Sequence, residues 1–318
     1  MAHDAPAFPP RLVLLFGVLS VGVSAILIRY VDPDIPSVTI AFYRLFLTLV
    51  ILSPITFTRY RREFARLSGR DLLVALGIGV MLAIHFAAWI ESLFHTTVAS
   101  SVIIVSLESI LAALAAAVFF GERLGMRALM FILLAFSGVV LLAVGDLSAD
   151  PQGRFQDPLY GDLLAFIGAV AAAVYLVGGR RMRQRLHLLP YVVIVYWMCA
   201  VVLLAIALGQ GAPLSGFAAA DWGLFLLMAL FPTIGGHTLF NWCLRYLPAA
   251  TVSTAILGEP LIASLLAALL FTEVPGPLGV VGGILALIGI LGVVRGQHPS
   301  PAIDSAAEGA ALGPSGRP

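Results

Sequence analysis

LESILAALAAAVFFGERLG at positions 107–125 and GEPLIASLLAALLFTEVPG at positions 258–276 are one stretch written twice. A shift of 151 residues lays Glu108 on Glu259, Glu122 on Glu273, Phe120 on Phe271 and Gly125 on Gly276. Ala112, Ala116 and Ala117 fall on Ala263, Ala267 and Ala268. The register runs on beyond these stretches, carrying Ala99 onto Ala250, Ala135 onto Ala286, Gly138 onto Gly289 and Gly145 onto Gly296. Alanine matches carry little weight in an apolar chain. Acids and glycines recurring in one ungapped register mark a duplication.

The solvent for this chain is lipid. Of its 318 residues 60% are hydrophobic and 11% charged, with a mean hydropathy of +1.03. Soluble domains have roughly 45–50% apolar and 25% charged residues. A net charge of +1 gives no basic footprint for nucleic acid, and all 18 basic residues are arginine. A helix needs about 20 apolar residues to cross the hydrocarbon core. Ten such runs are expected: Leu12 to Ile28, Val38 to Phe57, Leu72 to Ile90, Thr97 to Phe120, Ala128 to Val144, Leu159 to Val177, Leu189 to Leu208, Trp222 to Phe240, Ala249 to Phe271, and Leu278 to Val294. The first reads as a span and not as a cleaved signal, because another apolar run follows it. Connections are short, so function is expected within the membrane part. The tail from Gly296, rich in Pro, Ala, Gly and Ser, reads as disordered.

Arginine placement sets an expected orientation, since cytoplasmic loops retain positive charge. With the N-terminus inside, Arg59, Arg61, Arg62, Arg66 and Arg70 are cytoplasmic, as are Arg123, Arg127, Arg180, Arg181, Arg183, Arg185, Arg245 and Arg295. Asp32, Asp34, Asp146, Asp150 and Asp157 are then outside, with Arg154 the exception. An even number of spans returns the C-terminus to the cytoplasm. Each copy holds five spans, and five is odd, so the second copy enters the membrane upside down. The expected fold is therefore all-α: a polytopic membrane protein of ten transmembrane helices in two inverted five-helix repeats. Secondary transporters are commonly built this way, with the substrate site near the midplane between the halves.

The residues resemble the drug/metabolite transporter superfamily, in its ten-helix type made of two EamA-like domains. The resemblance covers both halves. It rests on the helix ending in Phe119, Phe120, Gly121, Glu122, Arg123 and Leu124, on the following span through Gly138, and on the second copy with Gly258, Glu259, Pro260 and Glu273. Arg44 after Tyr43, early in the second span, also matches. Two departures stand out: Ser109 occupies the place of Pro260, and Tyr175 stands in the sixth span where a tryptophan is often found. The resemblance implies movement of small metabolites such as amino acids or their analogues, often as export, across a bacterial inner membrane. It also implies the division of the chain into a cytoplasmic segment 1–11, EamA-like repeats at 12–145 and 159–295, a periplasmic connection 146–158 and a cytoplasmic tail 296–318.

Glu108 and Glu259 are the candidate site residues of greatest weight, each near the middle of a long run. An ionised carboxylate at that depth costs several kcal/mol, so each must be protonated, paired or facing a wet cavity. They are expected to line a central cavity, where they meet a cationic part of a substrate or couple transport to protons. The alternative is that each bonds to helix backbone loosened near Ser109 or Pro260. Arg44 either snorkels or turns inward to meet a substrate carboxylate, whereas Arg29 at the outer end of its span can snorkel easily. His85 and Trp89, one turn apart, and the group His237, Asn241 and Trp242 suit a cavity wall, as do Tyr43 and Tyr175. Glu122 and Glu273, beside loops, are expected to cap helices or to pair with Arg123 or a neighbouring helix.

Neither Cys199 nor Cys243 has a C-x-x-C spacing or a metal-ligand neighbourhood. No cofactor or metal is expected. A membrane-embedded enzyme is the less favoured rival, because the chain has no H-E-x-x-H, no G-x-S-x-G and no P-loop. A sensor or scaffold subunit without transport is the other.

Overall fold

The computed structural model describes residues 8–120, 125–149, 157–183, 186–243, 252 and 255–296. Every element in these residues is helical, as lipid requires: with no water to pair with, a backbone must satisfy its own polar groups. Seven helices are long and apolar enough to span: Pro10–Arg29, Ser37–Phe64, Gly69–His95, Met126–Gly145, Pro158–Gly179, Leu188–Gly209 and Ala219–Cys243. Shorter apolar helices, Val98–Ala112, Gly258–Phe271 and Pro277–Val293, supply the fourth, ninth and tenth crossings. These ten segments follow the ten apolar runs of the sequence.

Helices break within the first, fourth, eighth and ninth spans. The first span is split into Pro10–Gly22 and Ser24–Arg29 by a turn at Val23. The fourth is split into Val98–Val105 and Glu108–Phe120 by a turn at Ser106 and Leu107. A turn at Leu257 precedes the ninth-span helix Gly258–Phe271. In the eighth span, Ala219–Met228 continues as a π-helix, Ala229–Thr238, before Leu239–Cys243. Pro232 lies inside that π-segment and has no N–H to give an α-helical bond.

The two halves are related by an antiparallel crossing of equivalent spans. In the fifth and tenth, a Cβ on Gly138 would lie 2.4 Å from the Ala286 nitrogen, and one on Gly289 would lie 2.5 Å from the Ala135 nitrogen. Gly145 meets Gly279 in the same way. Residue numbers rise along one helix as they fall along the other. Adding 151 turns the contact of 135 with 289 into that of 286 with 138, the mark of a two-fold axis between inverted copies. Small residues let these backbones touch in lipid, where packing replaces the hydrophobic effect.

The second and seventh spans also run antiparallel. The Tyr43 hydroxyl donates to the Leu214 carbonyl, Trp197 Nε1 to Ser53 Oγ at 3.2 Å, and the His187 N–H to Glu63 at 2.7 Å. The third packs against the sixth, and the first against the eighth, which the repeat interchanges. Leucines such as Leu73, Leu261 and Leu265 form the exposed apolar belt, and Arg44, Tyr191 and Phe86 are among the largest fully buried side chains. Arg59, Arg61, Arg62, Arg66 and Arg70 gather at one end of the bundle; Asp32, Asp34, Asp157 and Asp221 gather at the other. Glu122, Arg123, Asp150, Arg154, Arg185, Arg245, Ala249 and the tail from 297 lie outside the described residues.

Candidate functional site

The polar centre is organised around Arg44, which is 0% exposed. It sits two turns into the second span, where residues Ser37 to Leu45 are all buried. Its Nε donates to Thr233 Oγ1 at 2.8 Å and its Nη1 to Ser24 Oγ at 3.1 Å. Ser24 opens the second part of the broken first span, and Thr233 lies in the π-segment, where its Oγ1 donates in turn to the Met228 carbonyl at 2.9 Å. Arg44 thus ties two interrupted helices together. Its third nitrogen, Nη2, is buried with no hydrogen-bond partner among the described residues.

Aromatic rings from the third span close over the cation. The guanidinium carbon is 4.6 Å from the centre of the Phe86 ring and 5.8 Å from that of Trp89. His85 stacks on Trp89 at 6.0 Å and 7°, and His237 meets Phe86 edge-on at 6.4 Å. Gly168 of the sixth span lets the third approach, and its carbonyl accepts from His85 Nδ1 at 3.0 Å. A carbonyl only accepts, so Nδ1 carries the proton, and in the neutral ring Nε2 is left as an acceptor. Trp89 Nε1 is a second buried donor with no partner among the described residues.

Glu108 and Glu259 face this cluster from opposite repeats. Each opens the helix that follows a break, so each carboxyl sits at a positive helix end in the middle of the bundle. Glu259 interacts electrostatically with Arg44, and Glu108 with Glu259. No carboxylate lies within salt-bridge distance of Arg44 among the described residues. Both glutamates are half-buried, whereas Arg44 is fully buried. Among the described residues neither carboxyl accepts a hydrogen bond.

Of the other residues the sequence nominated, Tyr175 lies at the centre and Tyr43, Asn241 and Trp242 lie apart from it. Tyr175 is half-buried and faces Tyr196 at the centre. Tyr43 points to the acid-rich end, where its ring stacks on Phe225 at 5.3 Å beside Phe217 and Trp222. Asn241 donates from Nδ2 to the His237 carbonyl at 2.9 Å, one turn back. Trp242 packs into the small core of Leu14, Val18 and Phe240. Arg29 does not snorkel; it donates to the Thr96 carbonyl at 3.0 Å and pairs with Glu273 at 3.1 Å. Glu273 thus pairs with a neighbouring helix, as expected, but Glu122 and Arg123 lie outside the described residues.

Sequence reading missed Ser24, Phe86, Tyr196, Thr233 and Thr238. Tyr196 lies beside Thr238, whose Oγ1 donates to the Thr233 carbonyl at 3.2 Å. The overlooked signal was Pro232, Thr233, Gly235 and Gly236 within one apolar run, a proline and two glycines that loosen a helix beside a hydroxyl. Among the described residues no group of three or more His, Cys, Asp and Glu could hold a metal. A cavity of about 430 Å³ opens at the arginine-rich end, lined by Arg59, Arg62, Glu63, Arg66 and His187. Placed where the second span ends and the seventh begins, it is separate from the polar centre.

The sequence profile of the EamA-like transporter family matches residues 10–144 and 159–295. The pseudopaline exporter CntI of Pseudomonas aeruginosa is 23% identical over 269 residues, covering 85% of this chain and 90% of that protein. An uncharacterized transporter of Archaeoglobus fulgidus is 27% identical over 282 residues, covering 81% and 97%. A protein of Streptantibioticus cattleyicolor named as a probable terminal-alkyne amino-acid exporter is 26% identical over 203 residues, covering 63% and 65%. A crystal structure with 18% identity superposes with a TM-score of 0.62 over 90% of this chain and 96% of its own, a likeness of fold.

Proposed function

The chain belongs to the EamA-like transporter family, and on that premise we propose that it is a secondary active transporter of a small metabolite, an amino acid or related compound, working by alternating access. The direction we assign is export across a bacterial inner membrane, with both termini cytoplasmic and the arginine-rich end facing the cytoplasm. Two relatives named as exporters support the direction. No enzymatic step is part of this reading.

One observation carries it. Glu108 and Glu259 follow matched breaks in the fourth and ninth spans and lie within electrostatic reach of one another, with Glu259 also in reach of Arg44, whose Nη2 is buried and unpartnered among the described residues. Interrupted helices whose ends meet at mid-depth between inverted repeats are how transporters hold polar solutes in lipid. In this reading Arg44 Nη2 and Trp89 Nε1 receive the anionic end of the solute, because a bound acceptor satisfies donors that otherwise stay unpaired. The glutamates receive its cationic end or a coupling proton. His85, Tyr175 and His237 shape the wall between them, and Tyr43, Asn241 and Trp242 support it from a distance. The domain division at 12–145 and 159–295 is part of the same proposal.

Purified protein in liposomes tests this directly. Loading the vesicles with a panel of amino acids and analogues is expected to reveal protein-dependent flux of at least one, driven or altered by a pH gradient. Ligand-dependent thermal stabilisation without any flux would instead mark a sensor. Chemical turnover of a panel member would mark an enzyme.

A further inference from the structure

At the acid-rich end, far from the polar centre, four connections between spans are tied by one group of side chains. Arg29 ends the first span, and its Nη2 lies 3.1 Å from Glu273 Oε1, just beyond the ninth. The two side chains are 18% and 6% exposed. Arg29 also donates to the Thr96 carbonyl, and Glu273 Oε2 accepts the Val98 N–H at 3.0 Å, so both partners grip the turn between the third and fourth spans. Thr96 Oγ1 donates to Asp162 Oδ1 at 2.8 Å at the head of the sixth span. Tyr30 and Phe271 pack at 5.3 Å beside the pair.

Two further facts set this pair apart from an incidental surface contact. Thr272 holds φ 57, ψ 26, a left-handed conformation rare for a branched side chain, and this turn directs the Glu273 carboxyl inward. In the sequence, the 151-residue register carries Arg29 onto Arg180 and Glu273 onto Glu122, so both charges recur with their sign in the other copy.

We propose that Arg29 and Glu273 are a latch that closes the acid-rich end between the two repeats and must part before the polar centre opens to that side. The inference rests on the transporter reading above. Physical chemistry favours an ion pair for this task. A buried pair gains from attraction about what it loses in desolvation, so closed and open states differ little in free energy once water returns to the separated charges. An apolar contact in the same place would resist opening, because parting it exposes hydrocarbon to water.

Spin labels at D34C and V274C, both exposed positions flanking the pair, report its opening; the native Cys199 and Cys243 are buried and do not compete. In liposomes the unmodified latch is expected to give mainly one short distance. R29Q or E273Q is expected to raise the ratio of long to short distances about tenfold. Unchanged distributions in both variants would overturn the latch. Should either variant fail to fold, R29C/E273C bridged by a short bis-thiosulfonate linker gives a second test. Bridging is expected to cut flux at least tenfold, with recovery on reduction, whereas unimpaired flux through the bridged protein would overturn the proposal. If the unmodified protein moves no solute, the proposed function falls while the distances still test the latch.

Discussion

Replacing Arg44 with methionine separates a structural arginine from a functional one, because the two readings give opposite signs. The side chain makes two hydrogen bonds from a cation to hydroxyls, at 2.8 and 3.1 Å. Each is worth about 1.5–3 kcal/mol. The contact with Phe86 at 4.6 Å adds about 2 kcal/mol at a desolvated site. Against these stands the penalty for holding a cation out of water, several kcal/mol for one ion. The opposing contributions are of equal order. R44M fills a similar volume, and Thr233 keeps its bond to Met228, so melting of the solubilised protein should change by no more than about 2 kcal/mol in either direction. Transport should suffer far more. Removing one partner of a buried charged contact costs about 2–5 kcal/mol, or roughly thirtyfold and upward in flux at low substrate. R44K should not restore it, since an ammonium cannot reach Ser24, Thr233 and a ligand in the planar geometry of a guanidinium. Detergent melting curves and liposome flux, measured on the same preparation, supply both numbers. Normal flux together with a large fall in melting temperature would refute the reasoning and leave Arg44 as a strut.

The remaining predictions concern the acids, the crossing and the orientation. E108Q and E259Q should each lower flux by about tenfold or more and flatten its dependence on pH, and a wild-type pH profile in both would remove them from the transport cycle. G138V and G289V place a side chain within 2.4 and 2.5 Å of backbone nitrogen on the facing helix. Each should destabilise the protein by about 1–3 kcal/mol, read as a lower melting temperature, and unchanged melting would contradict the close crossing. Epitope tags at Arg66 and Asp157 should be protected on opposite faces of the membrane; finding them on one face would undo the inverted arrangement.

Much of the fold could be read from residues because lipid imposes a simple rule. A run of about 20 apolar residues has few alternatives to a helix, and the recurrence of Glu108 and Gly138 as Glu259 and Gly289 implies inversion by parity. The helix breaks were not legible. Hydropathy averages over a window, whereas the turns at Ser106, Leu107 and Leu257 depend on local backbone geometry among equally apolar neighbours. Pro232 with Gly235 and Gly236 announced loosened helix without saying that Thr233 would turn to Arg44. Adjacent residues on a helix point about 100° apart, which is why Tyr43 leaves for the acid-rich end while Arg44 enters the centre. Trp242 was nominated beside His237 but is held by the first span, a partner remote in sequence.

The account turns on a centre that opens to each side of the membrane by turns. A single cysteine at position 109, placed by S109C next to Glu108 with Cys199 and Cys243 replaced by alanine, can be challenged with a membrane-impermeant thiol reagent from either face of oriented vesicles. Labelling from both faces, slowed from both by a transported solute, is the predicted result. Reaction from one face alone, whatever solute or pH gradient is present, would contradict it.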